Sequence, residues 1–342
     1  MLLQAEHLSI NYGVKELIKD ASFYLEPGDR IGVIGINGTG KSTFLRCLAG
    51  KEQPDSGTVT RFPNVQVVFL AQNPEMTETN TVLEQVFASQ DASYQEIHTY
   101  EAVSMLNKLG ITDTDAKVGV LSGGQRKRVA LAAALLQPAD VLILDEPTNH
   151  LDAEMVAWLE QRLTAFPGAL VMVTHDRYFL ERVATRIAEL SRAKVSFFEA
   201  NYSKYLELKA QREEMAEASE RKRLTILRHE HAWIIRGCQA RTTKSKERID
   251  RYEALKNQEA PQHEETVQMG AASSRLGRQI LNLENISKAF GEKQVLKDFS
   301  YRMERGDRIG IVGSNGVGKS TLLNIIAGKL TPDSGTVETG ST

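Results

Sequence analysis

The chain of 342 residues repeats part of itself at a constant spacing of 278 residues. Gly28-Asp29-Arg30-Ile31-Gly32 returns as Gly306-Asp307-Arg308-Ile309-Gly310, and residues 54–59 return as residues 332–337. The match runs without a gap over about 60 residues, which indicates an internal duplication. Each copy is therefore predicted to open the same unit, with two short strands, a glycine-rich turn, a helix and a further turn into an edge strand.

A glycine-rich loop lies in the middle of each copy. Residues 35–43 fit the pattern G-x-x-x-x-G-K-[ST], after an apolar predicted strand and before a predicted helix. In such a loop, backbone N–H groups turn toward phosphates, the lysine adds a cation and the serine hydroxyl can ligate Mg²⁺. A glycine turn with a chance lysine is the alternative, and the second copy argues against it. We predict ATP binding by Gly35, Asn37, Gly38, Thr39, Gly40, Lys41, Ser42 and Thr43, and by Gly313, Asn315, Gly316, Val317, Gly318, Lys319, Ser320 and Thr321, with Ser42 and Ser320 as Mg²⁺ ligands.

Two adjacent carboxylates, Asp145 and Glu146, end a predicted buried strand that includes Val141. Successive strand residues point in opposite directions, so Asp145 can hold a metal while Glu146 faces a water that attacks the γ-phosphate. A solvated acidic strand end is the alternative interpretation. We predict Asp145 as a metal ligand and Glu146 as the catalytic carboxylate.

Leu121-Ser122-Gly123-Gly124-Gln125 comes before a predicted helix, with Ser122 as its candidate N-cap. This segment resembles the signature loop of ATP-binding cassette proteins, and five further elements stand around it in that family's order. The resemblance implies that ATP and its metal are contacted by Tyr12 (adenine), Gln72 (metal), Asp145 and Glu146 (metal and catalysis), Ser122, Gly123, Gly124 and Gln125 (signature loop), Asp152 (the loop joining two ATP sites) and His175 (γ-phosphate). A lone histidine is more often a packed or surface residue. Six elements in order are not explained by chance, so Glu146, His175 and Lys41 are predicted to be catalytic.

A finer resemblance rests on two longer motifs. Glu146-Pro147-Thr148-Asn149-His150-Leu151-Asp152 and Thr174-His175-Asp176-Arg177-Tyr178-Phe179-Leu180 are similar to the ABC-F subfamily. That resemblance implies two cassettes in one polypeptide, no membrane domain, and a helical-hairpin linker that in ribosome-acting members reaches tRNA at the peptidyl-transferase region. Ala232-Trp233-Ile234 and Gln239-Ala240-Arg241-Thr242-Thr243-Lys244 look most like the Uup branch, whose members are associated with both ribosomes and branched DNA.

The segment between the copies predicts a basic helical arm. Residues 202–252 contain no glycine or proline except Gly237, which favours two long helices that turn there. A helix over residues 203–235 would reach roughly 50 Å and should project. From Arg221 to Lys256 the sequence has eleven Lys or Arg against four acids, a net charge of +7. With Trp233 near the tip, this arm suits a phosphate backbone and a stacked base; a solvated coiled-coil face with a core tryptophan is the alternative.

Charge and hydropathy limit the other classes of partner. The net charge of the whole chain is -2, so any attraction to nucleic acid must be local. The start of the chain has no secretory-signal pattern, and the longest apolar run, residues 129–136, is far shorter than the ~18 to 20 residues that cross a bilayer. Neither Cys47 nor Cys238 has a partner at metal-ligand spacing. We expect a cytoplasmic protein without a membrane domain.

The predicted fold is α/β. It has a P-loop ATP-binding cassette domain over residues 1–200 with a helical subdomain at about 75–138, a basic helical-hairpin linker over 201–262, a flexible connector over 263–279, and the N-terminal part of a second cassette over 280–342. The second copy has Phe290 at the position of Tyr12, but no second signature loop, carboxylate pair or histidine follows. In the family, ATP lies between the phosphate loop of one cassette and the signature loop of the other. We therefore expect a truncated version of a longer protein, or, as the alternative, a homodimer that pairs through the first cassettes.

The sequence as a whole favours a soluble ABC-F ATPase. In this interpretation Mg-ATP closes the cassettes and repositions the arm on the ribosome, tRNA or other structured nucleic acid. The ATPase subunit of a membrane transporter is the second candidate, and it predicts no long arm. A non-hydrolysing, nucleotide-gated binding module is the third, and it applies if the chain ends at Thr342.

Overall fold

The structure is a computed structural model that describes residues 1–13, 15–235, 246–257, 279–291, 293–313 and 316–339. The predicted turn at Gly237 and the residues Arg241, Lys244 and Asn315 lie outside these ranges, as does most of the predicted connector.

The chain begins with a three-stranded antiparallel sheet. Its strands are β1 (Leu3–Tyr12), β2 (Lys15–Leu25) and β4 (Ser56–Arg61), in the order β2-β1-β4. Apolar residues alternate along β1, so one face is buried and the other stays in water. The first two strands have ten and eleven residues, so the prediction of two short strands at this place was wrong. Bulges at His7 and Asp20, both with positive φ, bend the pair around the core.

A second, mostly parallel sheet of six strands holds the centre of the first unit. Its strands are β3 (Arg30–Ile34), β5 (Val67–Leu70), β6 (Val141–Asp145), β7 (Ala169–Val173), β8 (Arg186–Ser191) and β9 (Lys194–Phe198), in the order β5-β6-β7-β3-β8-β9, with only β9 antiparallel. Every residue of β6 and β7 is buried, because both faces of the sheet are covered. The loops that follow parallel strands meet at one edge, which is where ligands bind in such sheets.

Six helices pack around these sheets. They are α1 (Lys41–Leu48), α2 (Val82–Val86), α3 (Ala92–Lys108), α4 (Gly123–Leu136), α5 (Ala153–Thr164) and α6 (Arg177–Val183). Three of them, α2 to α4, lie within the segment predicted as a helical subdomain, and their apolar faces join one core with β5 and β6. A second core lies between the antiparallel sheet, α1 and the other face of the parallel sheet.

The predicted arm consists of helix α7 (Tyr202–Ile235, 34 residues) and helix α8 (Lys246–Asn257, 12 residues). The described part of the second helix is therefore much shorter than the first. Arg223 Nη1 donates to Leu255 O at 2.5 Å, and the rings of His231 and Tyr252 stack, so the helices run antiparallel. Residues 210–219 are all exposed, which fits a helix that leaves the body of the first unit.

The second copy repeats the opening sheet and the loop helix. Its elements are β10 (Gln279–Phe290), β11 (Lys293–Glu304), α9 (Lys319–Ile326) and β12 (Ser334–Thr339). The counterpart of β3, residues 308–312, is not a strand, which corrects the expectation that both copies form the same unit. In the first copy β3 bonds to β7 and β8, and residues 279–339 as described contain no counterpart of those strands. Val312 is consequently 92% exposed.

Among the residues described, no helix combines the length and the apolar composition needed to cross a membrane.

Candidate nucleotide site

The first glycine-rich loop joins β3 to α1, as predicted. The residue before the helix, Gly40, has φ 93°, a left-handed conformation that glycine adopts without strain. Lys41 Nζ donates to the carbonyl oxygens of Gly35 at 2.8 Å and Ile36 at 3.2 Å, so the ammonium lies over the loop. Burial lowers the pKa of Lys41, while the carboxylates of Glu146 and Asp145 oppose that change. The loop thus combines a cation with the free N–H groups of a helix start, which suits a phosphate.

Gly35 is fixed by close packing against the neighbouring strand. A Cβ atom on Gly35 would lie 2.5 Å from Leu190 O and 2.9 Å from Thr39 Oγ1. Because the first of these atoms belongs to the backbone of the buried strand β8, it cannot move aside easily. The entry to the phosphate loop therefore depends on a residue without a side chain.

The two predicted carboxylates lie at the end of β6, both buried. The strand ends at Asp145, and Glu146 has φ 53° in the left-handed region, which is sparsely populated by residues other than glycine. The separation of the two side chains therefore comes from this turn and not from the strand alternation that the sequence analysis assumed. Strain of this kind concentrates at functional sites.

Glu146 and His175 form a pair at the ends of adjacent strands. His175 Nε2 lies 3.3 Å from Glu146 Oε1, and the backbone N–H of His175 donates to Glu146 Oε2 at 3.4 Å. Burial raises the pKa of the Glu146 carboxyl, and His175 partly offsets that effect. A carboxylate with a raised pKa is a better proton acceptor near neutral pH.

The residues predicted to hold Mg²⁺ suit that ion. Asp145 Oδ1 is buried and has no hydrogen-bond partner among the residues described, which leaves a carboxylate oxygen available to a metal. Ser42 lies in the first turn of α1, and Gln72 lies exposed two residues after β5, at the same sheet edge. Within the described ranges, no group of three or more His, Cys, Asp or Glu could bind a metal. A Mg²⁺ site with one carboxylate and phosphate oxygens as ligands does not need such a group.

Tyr12 ends β1 and its ring is exposed, as a stacking platform for adenine would be. Lys15 is its partner across the hairpin and donates from Nζ to Gly38 O at 3.0 Å. This lysine connects the aromatic side of the site to the phosphate loop. Its role was not predicted from the sequence, although Lys293 occupies the same place in the second copy.

The signature-like loop begins helix α4 with the predicted N-cap. Ser122 Oγ accepts from the N–H of Gln125, and Gln125 Oε1 accepts from the N–H of Ser122, which forms a capping box. Gly123 stands first in the helix, and Gly124 faces His150, whose Cβ would lie 3.3 Å from a Cβ at that glycine. Asp152 caps α5, since its Oδ1 accepts from Met155 N at 3.1 Å.

A cavity of about 520 Å³ brings the signature-like loop to the second phosphate loop. Ser122, Gly124, Gln125 and Asp152 line it together with Gly316. The cavity thus places a phosphate loop opposite the signature-like loop of the other unit, which is the arrangement that the family resemblance implies for ATP.

The described residues of the second phosphate loop, Gly313 and 316–321, repeat features of the first. Lys319 Nζ donates to Gly313 O at 2.5 Å, and Gly318, the residue before α9, has φ 109°. Ser320 and Thr321 follow in the first turn of α9, and Val317 is half exposed. Phe290 is exposed, with Lys288 Nζ 5.9 Å from its ring centroid. The predicted contribution of Asn315 lies outside the described residues.

Only some of the residues predicted for the first nucleotide site line the same cavity. Gly35, Thr39, Lys41 and His175 line one cavity of about 560 Å³ in the first unit, and Glu146 lies behind His175. Tyr12 and Gln72 are not among the residues that line it.

One buried lysine was also missed. Lys127, in α4, is only 6% exposed. Burial lowers its pKa, while Glu146 and Asp145 oppose the change, so this cation lies in the field of both carboxylates. In the sequence Lys127 lies between two other basic residues, Arg126 and Arg128. It differs from them in the structure because its side chain is buried.

Most of the described basic residues of the arm are exposed, although Arg223 is largely buried. Arg221, Lys222 and Arg228 on α7 are exposed, as are Arg251 and Lys256 on α8. The side chain of Trp233 lies outside the described residues.

Comparison with known proteins agrees with the fold. The sequence model of a family described as "ABC transporter" matches residues 18–149 and 296–342, and a second model with that description matches residues 188–269. A solved "ATP binding subunit of ABC transporter" aligns with a TM-score of 0.52 at 20% identity, over 58% of this chain and 90% of that one. The cassette MJ0796, solved as a dimer bound to ADP and Pi, aligns with a TM-score of 0.52 at 22% identity, over 58% of this chain and 98% of that one. The predicted α/β cassette fold is confirmed.

Curated relatives match along nearly the whole chain. It is 44% identical to an "Uncharacterized ABC transporter ATP-binding protein YfmR" of Bacillus subtilis, over 100% of the chain and 60% of that protein. It is 36% identical to the "Energy-dependent translational throttle protein EttA" of Haemophilus influenzae, over 96% of the chain and 66% of that protein. A protein of the same name in Mycobacterium tuberculosis is 37% identical over 97% of the chain and 66% of its own length. The chain therefore spans less than two thirds of the length of these relatives.

Proposed function

Because the chain belongs to the ABC transporter family of ATPase domains, we propose that it is an ABC-F-type ATPase whose basic arm acts on the ribosome or on other structured nucleic acid. Its first unit would bind and hydrolyse Mg-ATP, and cassette closure would reposition α7 and α8. A cytoplasmic location follows from this proposal.

The observation that carries the ATPase part is the meeting of three groups at one sheet edge. Lys41 lies over the phosphate loop, Glu146 is buried beside it, and His175 is paired with Glu146. In this proposal Glu146 accepts a proton from the attacking water, and Lys41 and the loop N–H groups compensate phosphate charge. Mg²⁺, held by Ser42, Asp145 and Gln72 in the first copy and by Ser320 in the second, would supply further charge compensation.

The arm supports the nucleic-acid part of the proposal. Its net charge of +7 contrasts with -2 for the whole chain, so the basic charge is concentrated in one projecting hairpin. The relatives called EttA are named as translational throttle proteins, which supports a target in translation. Within the subfamily, we propose the Uup-like branch on the motifs around Trp233.

Two other functions are alternatives that the experiment below can distinguish. A transporter subunit would need a surface for a membrane partner, and a long basic hairpin has no role there. A non-hydrolysing module would bind Mg-ATP without turnover. The arm favours the ABC-F proposal over the first alternative, and the Glu146–His175 pair favours it over the second.

The deciding experiment measures ATP turnover with and without ribosomes. We expect ribosomes to co-sediment with the chain and to change its turnover, and a chain without residues 210–256 to lose both effects. Turnover below detection with intact Mg-ATP binding would favour the non-hydrolysing module. A chain that binds neither ribosomes nor branched DNA would contradict the proposed role of the arm.

A further inference from the structure

The phosphate loop and the arm meet on the same strand. Ile34, the last residue of β3, pairs with Glu189 of β8. The residues that follow these two are also in contact, since Gly35 packs against the carbonyl oxygen of Leu190. The entry of the phosphate loop is therefore supported by two consecutive residues of β8.

Glu189 is at the same time the anchor of the arm. Its Oε1 atom lies 2.7 Å from Nζ of Lys209, about two turns into α7. The pair is largely buried, with side chains 14% and 28% exposed. Removal of one partner from such a pair leaves the other charge poorly compensated, so the pair fixes its geometry more strongly than a surface ion pair does.

A cavity of about 560 Å³ separates the loop from the first turns of the arm. Its wall includes Gly35, Lys41 and His175 on one side and Tyr202, Leu206 and Lys209 on the other. The arm thus forms part of the wall of the first nucleotide site.

A second contact joins the arm to the helix that follows His175. Glu181 of α6 accepts from Asn201 Nδ2 at 2.7 Å and from Ser203 N at 2.8 Å, at the start of α7. Tyr205 is buried and packs edge-on against Phe198 at the end of β9. These contacts hold the start of the arm on the same sheet as the loop, and the Glu189–Lys209 pair joins it to the strand that touches Gly35.

We propose that Lys209 is a positioning residue that couples the base of the arm to the first phosphate loop through Glu189 and Leu190. Mg-ATP at residues 35–43 then orders the first turns of α7 directly, without the second cassette. The inference rests on the proposed function, because it requires nucleotide binding at that loop. Coupling is reciprocal, so a ligand on the arm changes the affinity for ATP by the same factor.

The test is amide hydrogen exchange of the full chain with and without Mg-ATP, read separately for residues 35–43 and residues 202–212. In the wild-type chain, we expect Mg-ATP to slow exchange in both segments. In Lys209→Met, the loop should still be slowed, while the effect on residues 202–212 should fall by about fivefold or more, the lower end of ordinary coupling between sites.

Two further variants separate coupling from simple structural support. Lys204→Met removes a matched pair on the same helix, Lys204–Glu207 at 2.7 Å, whose side chains are 56% and 61% exposed and which does not reach β8. It should behave as the wild type does. The exchanged pair Glu189→Lys with Lys209→Glu should restore the arm response, and it decides the question if Lys209→Met does not fold.

The outcomes are distinguishable. An arm response that persists in Lys209→Met, or one that the exchanged pair fails to restore, would overturn the coupling while ATP binding stands. A wild-type loop that Mg-ATP does not protect would instead overturn the proposed nucleotide site, and the coupling with it.

Discussion

His175 and Glu146 are held together twice, through the imidazole Nε2 at 3.3 Å from Oε1 and through the backbone N–H at 3.4 Å from Oε2. The two residues follow β7 and β6, which are neighbours in the sheet. The histidine is mostly exposed and the glutamate is buried, so the pair spans the boundary between the core and the open cavity. His175 lines that cavity, and the Glu146 carboxylate lies behind it in a position fixed by the neighbouring strand.

Replacement of Glu146 by Gln is expected to lower ATP turnover by about 10²-fold or more, because the amide cannot accept a proton in general base catalysis. Nucleotide affinity should be preserved or increased, since Lys41 and the loop remain. Turnover is measured by phosphate release and affinity by equilibrium binding of ATP.

The matched control is Glu154→Gln in the exposed first turn of α5, which should leave turnover unchanged. Hydrolysis at the wild-type rate in Glu146→Gln would remove this residue from the chemistry.

A methyl group at Gly35 is expected to destabilise the first unit. In Gly35→Ala the new Cβ would lie 2.5 Å from Leu190 O, and overpacking of this kind costs about 1 to 3 kcal/mol of the free energy of unfolding. ATP affinity at the first loop should fall as well, because the loop must shift. Thermal and denaturant unfolding, with ATP titration, measure both effects.

Gly123→Ala is the control for Gly35→Ala, since a Cβ at Gly123 would meet no other atom within 4 Å and the residue opens a helix. Equal stability losses in the two variants would show that the packing on Leu190 is not the cause.

Charge reversal on the described part of the arm is expected to weaken binding to ribosomes or structured RNA. Lys222→Glu with Arg228→Glu replaces two exposed cations. Phosphate contacts release counterions, so we expect affinity to drop by about tenfold or more and its salt dependence to become shallower. Filter binding or co-sedimentation at several salt concentrations measures both.

Lys51→Glu with Lys194→Glu makes the same charge change on the exposed surface of the first unit. If this control weakens binding as much as the arm variant does, the attraction is not local to the arm.

The sequence predicted those parts of the site that are encoded by neighbouring residues. The loop between β3 and α1, the cap at Ser122 and the long helix α7 all depend on turn, capping or helix propensities within a few residues. The cap at Ser122 and the bounds of α7 were predicted at or within one residue of their observed positions, whereas α1 begins at Lys41, three residues before the predicted start at Phe44.

The parts that were missed depend on packing between distant segments. Lys127 lies in the field of Glu146 only because α4 packs into the same core as β6, and Lys15 reaches Gly38 only through the pairing of β1 with β2. The missing strand at residues 308–312 has the same cause, because an apolar sequence forms a buried strand only when its neighbours are present.

Cys47 offers a prediction with a defined dependence on pH. The thiol lies buried in α1, and burial, followed by the nearby Glu52 carboxylate, raises its pKa from 9.0 to about 11. Because the thiolate is the reactive form, only about one thiol in a thousand is reactive at pH 8, and the reactive fraction rises about tenfold with each pH unit below 11. In Cys238→Ser, which leaves Cys47 as the single thiol, alkylation by iodoacetamide at pH 8 should be about 10²-fold slower in the folded chain than in denaturant. Labelling rates at pH 7, 8 and 9 test both statements. Equal rates for folded and unfolded chains, or a folded rate that levels off by pH 9, would contradict a buried, protonated thiol in α1.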